Sequence, residues 1–156
     1  MNRFRLAALV GLLLSVSWAP AYAQVAAPLP PISPLKILLI DDEIAVRRVV
    51  AEMLSSQGHE VVQAADGQAG LAWLQRESVD LILTDLGMPG MTGWDVARAA
   101  KSRWPAIPVG LLTGWGEEPA AKPDERAATD FVLAKPITID RLRAALAQVS
   151  IAAPRR

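Results

Sequence analysis

From Lys36 onward, short apolar runs alternate with longer amphipathic stretches. Lys36-Ile37-Leu38-Leu39-Ile40 is an aliphatic run that stops at Asp41, the pattern of a strand buried on both faces. Val46, Val49, Val50, Met53 and Leu54 then recur at three- and four-residue spacing, with Arg47, Arg48 and Glu52 between them, and Gly58 closes the stretch. That is the periodicity of an amphipathic helix. Glu60 to Ala64 reads as a second strand. Asp66 is placed to cap a helix through Arg76, with Leu71 and Leu74 inward. Val79 to Thr84 is a third apolar strand, followed by Asp85, and Gly93 to Arg103 is helical, with Val96, Ala97 and Ala100 on one face. Val109 to Leu112 is a fourth strand ending at Thr113, and Phe131 to Leu133 a fifth ending near Lys135. Ile139, Leu142, Ala145, Leu146 and Val149 mark a last helix. The segment Glu117 to Thr129 fits a helix poorly, because Pro119 and Pro123 interrupt it; a short helix from Pro123 is expected, since proline is tolerated in a first turn.

Strands separated by helices of this size predict a parallel sheet with right-handed crossovers, hence an α/β, doubly wound, five-stranded sheet with helices on both faces. Such sheets bind ligands beyond the carboxyl ends of their strands. Asp41, Asp42, Asp85, Thr113 and Lys135 all fall at or just past those ends, so five polar residues far apart in sequence should meet in one site. Crowded carboxylates with no sulfur or imidazole beside them favour a hard divalent cation, Mg²⁺ rather than zinc. An aspartate beside Mg²⁺ can attack phosphorus to give an acyl phosphate. A hydroxyl (Thr113) and an ammonium (Lys135) would hold the remaining phosphoryl oxygens.

These residues carry a resemblance. Ile40-Asp41-Asp42-Glu43, Thr84-Asp85-Leu86-Gly87-Met88-Pro89-Gly90-Met91-Thr92-Gly93, Leu112-Thr113-Gly114 and Lys135-Pro136, in that order, resemble the CheY-like receiver domain of response regulators, over about Lys36 to Val149. The resemblance implies the strand order 2-1-3-4-5. It implies Asp85 as phosphoacceptor and Asp42 as the direct carboxylate ligand of Mg²⁺. Asp41 would be its partner through water, and the Gly87 backbone carbonyl a further ligand. It implies Thr113 as the switch hydroxyl, Lys135 as the phosphoryl-pairing cation, and a cis bond before Pro136. Trp115 lies beside the site and is expected to shield the acyl phosphate in part. The implied partners are a histidine kinase or histidine phosphotransfer protein and a downstream protein of unknown identity. The stretch from Thr113 to Glu117 looks like receivers attached to hybrid kinases. One position departs from the family: three residues before Lys135, where an aromatic often stands, there is Val132, and Phe131 alternates to the other face.

Composition changes the picture at the ends. The 156 residues hold 16 basic and 16 acidic side chains. Setting aside Arg3, Arg5, Arg155 and Arg156 leaves 12 basic against 16 acidic residues, a mildly acidic body with no direct nucleic-acid surface expected. There is no cysteine and one histidine, which excludes disulfides, cysteine–zinc sites and multi-histidine metal sites. His59 follows Gly58 and reads as a surface residue. Trp73, Trp94 and Trp104 read as packing residues. Residues 1–23 read as a signal-peptide-like leader or membrane anchor: Arg3 and Arg5, an apolar run from Leu6 to Trp18, then Ala21-Tyr22-Ala23. Residues 24–35 form a proline-rich linker, 36–150 the receiver domain and 151–156 a short tail. No room remains for an output domain, so a stand-alone phosphoacceptor switch, not an enzyme, is expected. Its function is expected in the cytoplasm, with the membrane reached only through the leader. The rival expectation is an exported or tethered binding module with the receiver fold but no phosphorylation. A haloacid-dehalogenase-like phosphatase would want an aspartate where Gly87 stands. A P-loop would want a glycine-rich Lys-Ser/Thr loop, and neither is present.

Overall fold

A computed structural model of the chain describes residues 32–114 and 122–152, with side chains up to Val149. The elements run β1 (Lys36–Ile40), α1 (Ile44–Ser56), β2 (Glu60–Ala64), α2 (Gly67–Leu74) and β3 (Leu81–Asp85), then α3 (Gly93–Arg103), β4 (Val109–Thr113), α4 (Pro123–Ala127), β5 (Phe131–Ala134) and α5 (Ile139–Ala152). The strands form one sheet of order β2-β1-β3-β4-β5, every pairing parallel. The leader, Trp115, Pro119 and residues 153–156 lie outside the described residues, as does most of the linker.

Alternation along the strands divides the core into two layers. Leu38 and Ile40 of β1, with Ile82 and Val109, pack with Val96, Ala97 and Ala100 of α3 and Leu74 of α2. Ile37 and Leu39, with Leu81, Leu83 and Leu112, pack with Val50 and Leu54 of α1 and Leu142, Leu146 and Val149 of α5. Both faces being covered explains why β1, β3 and β4 read as continuous apolar runs. Truncating one of these fully buried leucines to alanine costs about 2–5 kcal/mol in comparable cores. Trp94 is buried, and Trp73 and Trp104 pack against the α2/α3 layer, as their sequence setting predicts.

Element boundaries shift in two places for local reasons. The second helix stops at Leu74, short of Arg76, where the Arg76 N–H turns onto the Trp73 carbonyl three residues back at 2.9 Å and tightens the last turn. The third strand begins at Leu81, after Asp80 has exchanged hydrogen bonds with Lys36: Asp80 N–H donates to the Lys36 carbonyl and Lys36 N–H to the Asp80 carboxylate. The proline argument holds for α4, which spans five residues from Pro123. This helix buries no residue of its own; Arg98 of α3 reaches Asp124 and Glu125, both at 3.3 Å, across the surface. The exposed Arg98–Asp124 pair contributes little, whereas the Glu125 side chain is largely covered.

One expectation is overturned. His59 is not a surface residue: it is 6% exposed, and its Nδ1 accepts the Leu35 N–H at 3.2 Å. The turn at Gly58, with φ +87°, folds the imidazole inward beneath the chain that leads into β1 rather than outward. Burial pushes its pKa below the usual histidine value.

Candidate functional site

Three strands end in polar residues that the core cannot release to water. Asp41, just past β1, is 1% exposed; Asp85, the last residue of β3, is 7% exposed; Thr113, the last of β4, is 1% exposed. Lys135 follows β5, where its N–H donates to the Thr113 carbonyl at 2.7 Å and ties the two strand ends together. The Lys135–Pro136 peptide is cis. Lys135 Nζ donates to Asp85 Oδ1 at 2.5 Å and to Asp41 Oδ2 at 3.1 Å, so residues 94 and 50 positions apart meet on one cation. Asp42, the next residue after Asp41, is exposed.

Each buried carboxylate is also held by main chain. Asp85 Oδ2 accepts Gly87 N–H at 2.7 Å, and Asp41 Oδ1 accepts Glu43 N–H at 2.8 Å. Glu43, not Asp41, is the N-cap of α1, and it makes no side-chain cap; Asp41 instead satisfies the helix's approach through the Glu43 amide. The loop after Asp85 turns at Gly90, where φ is +78°, a conformation costly for any residue with a Cβ. Thr92 then opens α3 with a capping box: Asp95 N–H donates to Thr92 Oγ1 at 3.3 Å and Thr92 N–H to Asp95 Oδ2 at 3.0 Å. This places Gly93 against the backbone of Asp85, where a Cβ would stand 2.4 Å from the Asp85 carbonyl oxygen.

Burial raises the Asp41 pKa, and the bonds from Lys135 and Glu43 offset that only in part. Burial alone would lower the pKa of Lys135. Its hydrogen bonds to Asp85 and Asp41 outweigh that and raise it. The ammonium therefore stays charged throughout the physiological range.

The donor set suits a hard cation in chemistry. Two buried carboxylates already aim at one positive centre, the Gly87 N–H is bonded to one of them, and Asp42 follows Asp41 in the chain. Among the described residues no three acidic or histidine side chains are drawn together closely enough to hold a metal ion, and Lys135 is the cation at the centre. Of the residues that the sequence singles out, Asp41, Asp85 and Lys135 are joined by side-chain hydrogen bonds, Thr113 meets Lys135 through its main-chain carbonyl, and Asp42 is exposed. Sequence reading passed over Arg47, which it placed only on the polar face of α1. Arg47 Nη1 donates to the Asp41 carbonyl. The signal available was a cation near a helix N-terminus, where the macrodipole disfavours one.

The sheet order is that of the CheY-like fold, and comparison with known proteins agrees. The family profile for the response regulator receiver domain matches residues 37–147. Sporulation initiation phosphotransferase F of Bacillus subtilis is 32% identical over 111 residues, 71% of this chain and 90% of that protein. The response regulator protein FleR of Pseudomonas aeruginosa is 35% identical over 99 residues, 63% of this chain but 21% of its own length. The chain thus spans about a fifth of that larger regulator. The solved structure of Vibrio cholerae chemotaxis protein CheY4 superposes with a TM-score of 0.68 at 32% identity, covering 75% of this chain and 99% of that one. With its sheet order, its strand-end aspartates and these matches, the chain belongs to the response regulator receiver domain family.

Proposed function

We propose that this chain is a single-domain response regulator that takes a phosphoryl group onto Asp85 from a histidine kinase or a histidine phosphotransfer protein. The observation that carries the proposal is the Lys135 ammonium held between Asp85 and Asp41, which puts a fixed positive charge beside a buried carboxylate at a strand end. In the transfer, a carboxylate oxygen of Asp85 forms a bond to phosphorus while the phosphorus–nitrogen bond of the donor phosphohistidine breaks, its electron pair leaving with the imidazole. Lys135 then follows the charge from the carboxylate to the phosphoryl oxygens, and the Thr113 hydroxyl, buried at the end of β4, donates to another of them. Asp41, Asp42, Asp85 and the Gly87 carbonyl are the residues that would hold Mg²⁺, whose chemistry is to neutralise charge on the transferring group. The chain acts as a phosphoacceptor that assists its own phosphorylation and dephosphorylation.

The switch we propose is a shift between two arrangements of the domain, read by a downstream protein. Phe131 and Leu133 pack in the α1/α5 layer, while Val132 is 46% exposed. Phe131 lies over Gly110, where a Cβ would stand 2.3 Å from its ring. An aromatic turning inward with Thr113 is therefore not part of the proposed switch, which rests on Thr113 and Lys135.

Incubating the full chain with acetyl phosphate and Mg²⁺ tests the reading. Intact-mass measurement should find one added phosphoryl group, stable to acid and labile to base, in the wild type and none in Asp85→Asn. The apolar leader favours the second reading, an exported or tethered binding module. A wild type that binds Mg²⁺ but gains no phosphate would support it over a cytoplasmic phosphoacceptor.

A further inference from the structure

Arg47 is the fourth residue of α1, at the end of the helix where the macrodipole works against a cation. Its side chain is half-buried and turns back from the helix to donate from Nη1 to the main-chain carbonyl of Asp41. Asp41 stands one residue past β1. Its N–H still joins the ladder, donating to the Ala64 carbonyl at 3.3 Å. Its carbonyl lies beyond the strand, in a residue 1% exposed, where an unmet acceptor costs about 1–3 kcal/mol. The two carboxylate oxygens of Asp41 are taken by Glu43 N–H and Lys135. Arg47 therefore supplies the remaining restraint on Asp41, and the group it grips belongs to the peptide that joins Asp41 to Asp42.

We infer that Arg47 is a positioning residue for the Asp41–Asp42 pair: it holds the peptide between them and so sets the aim of both carboxylates toward a divalent cation. The inference rests on the phosphoacceptor reading of the site. A role through charge alone has the opposite sign, because a guanidinium beside a cation site repels the cation and its removal would tighten binding. Holding by geometry predicts weaker binding when the guanidinium is lost, and no recovery from lysine, whose point charge lacks the planar fork and reach.

Titration of Mg²⁺ into the full chain by calorimetry separates the two. Arg47→Met and Arg47→Lys should each weaken Mg²⁺ binding by on the order of tenfold, the loss of one charge-assisted hydrogen bond. Thermal unfolding of each variant verifies that the domain still folds, and if Arg47→Met does not fold, Arg47→Lys decides. Unchanged or tighter binding in either folded variant overturns the inference, as does a wild type that binds no Mg²⁺. Phosphate uptake by the wild type from acetyl phosphate is measured alongside. If the wild type binds Mg²⁺ without taking phosphate, the phosphoacceptor reading fails while the Mg²⁺ titrations still decide the role of Arg47.

Discussion

At the scale of single residues, the site is built where side chains and main chain come closest. Gly93 is the clearest case. A Cβ there would meet the Asp85 carbonyl oxygen at 2.4 Å and Leu111 Cδ2 at 2.9 Å, so Gly93→Ala must push the start of α3 away from Asp85. Overpacking of this kind costs about 1–3 kcal/mol. Urea denaturation should register that loss, and phosphate uptake on Asp85 should slow, because the displaced atom belongs to Asp85 itself. Gly114 is the control: an added Cβ meets no heavy atom of the described residues within 4 Å, so Gly114→Ala should change stability by no more than about 0.5 kcal/mol. The polar residues of the site were legible because each interrupts an apolar strand at its carboxyl end. Arg47 was not, because an arginine between apolar positions of a helix looks the same whether it faces water or folds back onto a carbonyl.

Elements place these residues, and one joint between elements carries its own titration. His59 lies between the end of α1 and the start of β2 and accepts the Leu35 N–H just ahead of β1. Its folded-state pKa is depressed, so the unfolded chain binds the proton more readily. The stability this residue contributes is fully present above the ordinary histidine value of about 6.5 and is lost as pH falls through its lower folded value. The wild type should therefore lose more stability between pH 7.5 and pH 5.5 than His59→Gln does, measured as the shift in urea midpoint. Equal shifts in the two proteins would show that the imidazole is not protonated at the expense of the Leu35 contact. Sequence reading put His59 outside because of the glycine before it. Its burial depends on Leu35, 24 residues earlier, and local patterning carries no trace of so distant a partner. The opposite held for α4, where Pro123 fixes the start of the helix by local sterics, and for β5, where strict alternation separates Phe131 from Val132.

The molecule as a whole is a two-layer wrap around a sheet whose strand ends gather the chemistry. Among the described residues no helix is long and apolar enough to cross a membrane. The fold class was legible because both faces of the sheet are covered, which leaves runs of aliphatic residues that stop at polar ones, whereas the strand order came only from the family resemblance. The convergence of Asp41, Asp85 and Lys135 follows from topology: in a parallel sheet every strand delivers its last residue to the same edge. That Lys135 grips both carboxylates was not legible, since it depends on side-chain reach across three strands. The central claim is that this edge makes Asp85 a phosphoacceptor. Its most direct test is chemical mapping. The full chain is phosphorylated with acetyl phosphate and Mg²⁺ and reduced with borohydride, which converts an aspartyl phosphate to homoserine. Peptide mass spectrometry then locates the change. The account predicts homoserine at position 85 and nowhere else; homoserine at Asp41 or Asp42, or none in any peptide, would contradict it.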